Sequence, residues 1–197
     1  IMKMISGLLP ADNGSILIDG HLPGLVSKSI VSYLPERTYL NDWMKVSEVL
    51  QFFSDFYADF DLERAQQMLA DLHLSPNTRL KTMSKGTKEK VQLILVMSRR
   101  AQLYLLDEPP KGGDVGAKGE MLQLITQLAQ TGCGVLYASA DPSELLQMTN
   151  RIYILYRGEI AAELFAAHTS EEEIMYYAIG GKAPYFPPAR REGGKRS

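Results

Sequence analysis

Leu103-Tyr104-Leu105-Leu106-Asp107-Glu108-Pro109 decides how the rest of this chain is read. The apolar run from Gln102 to Leu106 suits a strand buried on both faces, as in a parallel sheet. It closes on two carboxylates and a proline. In an open α/β sheet, ligands bind beyond the carboxyl edge of the strands, which is where Asp107 and Glu108 fall. Adjacent strand residues point to opposite faces, so the two carboxylates can take different roles. One can hold Mg²⁺, directly or through water, while the other polarises an attacking water. An ordinary strand ending in an acidic turn has the same sequence, so the heptapeptide alone does not choose between the two.

Moving outward, Met83-Ser84-Lys85-Gly86-Thr87 leads into a helix expected from Lys88 to about Arg99. A Ser and a Gly at a helix start present a hydroxyl and free backbone N–H groups to an anion. A plain N-cap uses the same residues. Downstream, a helix is expected from Val115 to Gln130 and a buried strand from Gly134 to Ser139. Asp141-Pro142-Ser143-Glu144 then starts a helix, with Asp as N-cap, Pro at the first helical position and Glu three residues after the cap. Arg151 to Tyr156 and Glu159 to Ala162 read as strands joined at Arg157-Gly158. Thr169-Ser170-Glu171-Glu172-Glu173 opens a last helix that Gly180-Gly181 ends.

Toward the amino end, Asn13-Gly14 is a turn signal before a short strand, Ser15 to Ile18. A second strand, Ser29 to Leu34, ends at Pro35. Val46 to Asp71 is helical in pattern: Leu50, Phe53, Phe56 and Tyr57 repeat at helical spacing and are expected in the core. Asp61 can cap a second helix bearing Ala65, Met68, Leu69 and Leu72. Residues 1–10 read as the back half of an amphipathic helix, with Gly7 near its end and Pro10 after it. A helix with no beginning raises the expectation of missing upstream sequence. Strands alternating with helices argue for an α/β domain with a mostly parallel sheet. The helical block from about residue 40 to 98 interrupts that alternation as an inserted subdomain.

Composition narrows the function. The 197 residues carry a net charge of −2, so nothing global points to nucleic acid. The single cysteine, Cys133, permits no internal disulfide and reads as a small residue packed beside a strand. With only His21, His73 and His168 besides, ligands for a Cys/His metal site are too few. No apolar run is long enough to cross a bilayer, so a membrane role would need a partner subunit. The proline-containing end, residues 182–197 with the basic Arg190 to Arg196 stretch, is expected to be disordered and solvated. A contact with a membrane surface or partner is the alternative.

Order and spacing carry the resemblance. A Ser-x-Gly helix start, a helix, a strand ending Asp-Glu-Pro, then Asp114, then a strand ending near residue 140 resembles the ATP-binding cassette of ABC-type ATPases over nearly the whole chain up to Gly181. The resemblance implies a P-loop NTPase-like (RecA-like) core over 1–39 and 99–181, with a helical subdomain over 40–98. Met83 to Thr87 then looks like the signature motif, with Ser84, Lys85, Gly86 and Thr87 facing nucleotide. Leu103 to Asp107 looks like Walker B, with Asp107 toward Mg²⁺ and Glu108 as catalytic base. Asp114 looks like the D-loop aspartate. Glu36, in Tyr33-Leu34-Pro35-Glu36, replaces the usual Gln of the Q-loop beside nucleotide and metal. Ala140 stands where the family has its switch histidine.

The same resemblance implies ATP and Mg²⁺, a transmembrane permease partner and a second cassette in a homo- or heterodimer. It also implies a cytoplasmic location at the inner face of the membrane. The stretch through Pro109 looks like single-cassette exporter-type ATPases. From Lys111 onward the chain looks more like the second cassette of sugar importers, which often lack the switch histidine too.

The family's phosphate loop, Gly-x-x-x-x-Gly-Lys-Ser/Thr, is not found in this sequence, and the resemblance places its end immediately before Ile1. The expectation is a cassette lacking its N-terminal strands and phosphate loop. Such a chain would complete a partner's site in trans but bind ATP weakly in its own. Each lost charge-assisted hydrogen bond is worth roughly 1.5–3 kcal/mol. The leading reading is the ATP-hydrolysing subunit of an ABC transporter. One alternative is a degenerate module that dimerises and regulates without hydrolysis. The other is a soluble ABC ATPase of translation or DNA repair, although neither a second cassette nor a coiled-coil insertion is visible.

Overall fold

A computed structural model describes residues 1–37, 39–109 and 115–182, the side chains of 115–118 aside. The expected strand around Leu105 is β2, Leu103–Asp107, and it is the middle of a three-stranded parallel sheet. Its neighbours are β1, Val31–Leu34, and β3, Gly134–Ala138. Val31 pairs with Leu103 and Leu34 with Leu106, while Leu103 pairs with Gly134 and Asp107 with Ala138. Tyr104, Leu105 and Leu106 are almost wholly excluded from solvent, as a central parallel strand requires.

Parallel neighbours need crossovers, and helices supply them. Before β1 lie α1, Met2–Ile5, and α2, Leu25–Ile30. Helices α3 (Val46–Phe56), α4 (Leu62–Asp71) and α5 (Lys85–Met97) lie between β1 and β2. Helix α6, Val115–Gln130, lies between β2 and β3. Helix α3 buries Val46, Val49, Leu50 and Phe53 on one face, and α4 buries Ala65, Met68 and Leu69. Asp61 caps α4 as expected, its Oδ1 accepting the Arg64 N–H at 3.0 Å. Helix α5 packs on α3, α4 and β1, and its last seven residues, Val91–Met97, are all buried.

Arg99 fastens the end of α5 to the sheet. Its guanidinium donates to the Val31 carbonyl at 2.8 Å, to the Lys28 carbonyl at 3.1 Å and to both oxygens of Asp59. It also lies 4.2 Å over the Tyr57 ring. The Tyr104 hydroxyl donates to the Arg99 carbonyl.

Some expectations are corrected. Phe56 is 69% exposed and stacks on the likewise exposed Phe52, so the helical spacing of the aromatics overstates the core. Ser29 and Ile30 belong to α2 rather than to β1. No strand forms at Ser15 to Ile18. Ile18 instead exchanges both backbone hydrogen bonds with His21 across a two-residue turn. Asp19 and Gly20 both have positive φ there, the mark of a tight Asp-Gly reversal. Among the described residues nothing pairs with Ser15 to Leu17. At the first helix the expectation holds: Gly7 has φ +72, and Leu8 N–H bonds Lys3 O while Gly7 N–H bonds Met4 O. That pair of bonds is the Schellman termination.

Two compact units divide the chain, the first Ile1–Ala138 and the second beginning at Ser139. In the second unit Asp141 caps α7 (Pro142–Met148), its Oδ1 accepting from Ser143 N–H and Glu144 N–H. Strands β4 (Arg151–Tyr156) and β5 (Glu159–Phe165) form a hairpin whose two turn residues, Arg157 and Gly158, have positive φ. Helix α8, Glu171–Ala178, places Ile174 against Ile152 and Ile154 to form this unit's core.

Candidate functional site

Asp107 is the last residue of β2, and β1 ends one position earlier in register, at Leu34. Pro35 and Glu36 therefore leave the sheet at the edge where Asp107 sits. A hydrogen bond spans that edge: Tyr33 Oη donates to Asp107 Oδ2 at 2.9 Å. Burial foremost, then the bond to Asp107 and the charges of Asp107 and Glu36, push the Tyr33 phenol well above its ordinary range. The phenol keeps its proton and acts as a donor. Glu36 itself is exposed.

Glu108 has already left the strand. Its φ is +49, and its N–H bonds the Ala138 carbonyl of β3 at 3.1 Å. Left-handed backbone at a non-glycine residue costs of order 1–2 kcal/mol and tends to occur where a site dictates the geometry. The alternation of faces expected for Asp107 and Glu108 therefore stops at Asp107, because a left-handed residue does not continue the pleat. No residue type in the sequence announces this bend.

The second group sits at the start of α5. Ser84 is the N-cap: its Oγ accepts the Thr87 N–H at 3.2 Å and lies 2.8 Å from Thr87 Oγ1. The helix thus begins at Lys85, three residues before the position expected. Lys85 is exposed, with its Nζ 3.7 Å from Glu89. One turn further on, Lys88 Nζ pairs with Asp42 at 2.6 Å. Gly86 lies in the first turn, half-buried.

A contact missed by sequence reasoning ties the two groups together. Gln92, buried in α5, donates through Nε2 to the Pro35 carbonyl at 3.4 Å, next to Glu36. Its Oε1 is buried with no hydrogen-bond partner. A polar residue inside the apolar run Val91–Met97 was the available signal. The Tyr33–Asp107 bond had none, since it depends on the register of strands 74 positions apart in sequence.

Ala140 belongs to the second unit and is exposed between Ser139 and Asp141. Ser139 Oγ donates to Glu144 Oε2 at 2.6 Å. Asp114 lies outside the described residues. Among the described residues no cluster of three or more His, Cys, Asp or Glu is arranged to hold a metal. Asp107 on its own offers a partial oxygen shell. That suits Mg²⁺, which uses one or two carboxylates and takes its remaining ligands from phosphates and water.

The model of the ABC transporter family matches residues 1–111. The ribose import ATP-binding protein RbsA of Pseudomonas putida is 31% identical over 92% of this chain and 39% of its own length. RbsA of Caldanaerobacter subterraneus is 33% identical over 92% of this chain and 41% of its own. The chain thus spans about two fifths of the curated relatives it matches. A solved structure described as the ATP-binding subunit of an ABC transporter superposes with a TM-score of 0.80 at 22% identity, covering 90% of this chain and 81% of that one. That likeness establishes the P-loop NTPase-like α/β fold. The alternative of a degenerate, non-hydrolysing module gains no support from these relatives. A family match over more than half the residues, joined to a parallel sheet whose central strand ends in Asp107, means that this chain belongs to the ABC transporter family.

Proposed function

We propose that this chain is part of the ATP-binding and ATP-hydrolysing subunit of an ABC importer for a sugar. It would work against a transmembrane permease and pair with a second cassette at the inner face of the membrane. The observation that carries this reading is the placement of Asp107 and Glu108 at the carboxyl edge of the central strand, next to the loop bearing Glu36. The named sugar-import relatives support the substrate class.

In this reading Asp107 holds the nucleotide's Mg²⁺, which when bound neutralises charge on the phosphates. Glu108 accepts a hydrogen bond from the attacking water and orients it toward the terminal phosphate. Glu36 borders the same site from the loop after β1. Ser84, Lys85, Gly86 and Thr87 present a hydroxyl and first-turn N–H groups to the nucleotide held by the partner cassette. Asp114 contributes between cassettes. Ala140 offers no imidazole at the position where the family has its switch histidine. Residues 40–98 act as the helical subdomain against the permease, with 1–39 and 99–181 as core. No helix among the described residues is long and apolar enough to cross a membrane.

The test is Glu108→Gln in the full-length protein with its permease. ATP turnover should fall by roughly 10²–10⁴-fold while nucleotide binding persists, the range for losing a general base. Unchanged turnover would remove Glu108 from the chemistry, and with it the reading that this carboxylate orients the attacking water.

A further inference from the structure

We propose that Tyr33 is a positioning residue for Asp107: its phenol holds one carboxylate oxygen and thereby turns the other toward the nucleotide-bound cation. The proposal rests on the reading of Asp107 as the residue that holds that cation.

Register puts Tyr33 in place. It pairs with Leu105, two residues before Asp107, on the adjacent parallel strand. Residues paired across a sheet share a face, and so do residues two apart along a strand. Tyr33, Leu105 and Asp107 therefore line the same face, with Asp107 one pleat nearer the edge. The length of the tyrosine ring bridges that step, and the hydroxyl reaches Asp107 Oδ2 at 2.9 Å.

The ring is fixed independently. It packs against the buried cluster of Ile18, Val31 and Leu105, so the hydroxyl is aimed by the core rather than by the aspartate it meets. A carboxylate on the last residue of a strand would otherwise turn about its side-chain bonds, and an outer hydrogen bond removes that freedom. The donor is also neutral. An Arg or Lys at this place would compete with the cation for the carboxylate, whereas a phenol orients it and leaves its charge in place.

The experiment compares wild type, Tyr33→Phe and Asp107→Asn in the full-length protein. Mn²⁺ serves as the probe, with its binding followed by electron paramagnetic resonance in the presence of a non-hydrolysable ATP analogue. Phenylalanine keeps the ring and its packing, so thermal stability should be close to wild type. Tyr33→Phe should weaken Mn²⁺ binding by about tenfold, the lower end of what loss of an outer-shell partner does. Asp107→Asn should weaken it further. Wild-type Mn²⁺ affinity in Tyr33→Phe together with weakened binding in Asp107→Asn would overturn this proposal alone. Wild-type affinity in both variants would also overturn the cation role of Asp107.

Discussion

The two ends of α5 obey different rules. Its first turn is partly exposed and held largely from within: the Ser84 hydroxyl satisfies the Thr87 N–H, and Lys85 leans on Glu89 four residues along. Its last two turns are buried all round, and Arg99 just beyond them bonds to residues 40, 68 and 71 positions away. The buried end is defined by the rest of the fold. The outer end is defined mainly by its own cap, with one ion pair, Lys88 to Asp42, reaching outside the helix. That is the arrangement wanted of a helix start that meets a ligand held by another chain, the role proposed for Ser84 and Gly86. Asp107 and Glu108 resemble the buried end, since β1, β3 and Tyr33 all constrain them.

The sharpest way to break this comparison is Arg99→Met. The substitution strands the Val31, Lys28 and Ser29 carbonyls and the Asp59 carboxylate that the guanidinium now serves. Breaking a buried, hydrogen-bonded ion pair costs about 3 kcal/mol or more, and urea unfolding should show a loss of that size. A loss below about 1 kcal/mol would mean that the buried end does not depend on its distant partners.

Ser84→Ala probes the other end. Removing an N-cap hydroxyl costs about 1 kcal/mol, and Ser84→Gly only a few tenths. Both should unfold near wild type in the same titration. A loss in Ser84→Ala as large as that in Arg99→Met would show that the outer end is not self-contained.

Gln92 lies where the two regimes meet and should give the smallest effect. Gln92→Leu forfeits one long hydrogen bond, 3.4 Å, but also removes a buried oxygen that has no partner. The two terms nearly offset, so stability should change by less than about 1 kcal/mol in either direction. A larger loss would mean that the link between α5 and the loop bearing Glu36 supports the fold.

Much of this was legible in the sequence because it is local or periodic. The bounds of α6 and β4, the Asp61 and Asp141 caps and the Gly7 termination follow from residue types within a few positions of one another. Periodicity failed where both faces of an element are apolar. Phe56 has the same spacing as Phe53 but lies on the solvent side, and Ser15 to Ile18 has strand-like residues with no strand beside it among the described residues. The proposal of Asp107, Glu108 and Ser84 as site residues rests on their order along the chain and on the family resemblance that this order carries.

The sequence by itself thus determined the fold class, the central strand and its acidic end, because apolar runs, caps and turn residues act over short range. Only the tertiary structure decided that Glu108 bends out of the pleat, that Tyr33 grips Asp107, and that Gln92 and Arg99 tie α5 to β1 and the loop after it. Those contacts depend on which strands lie side by side and in what register. That is set by the packing of the whole sheet and not by any neighbour in sequence.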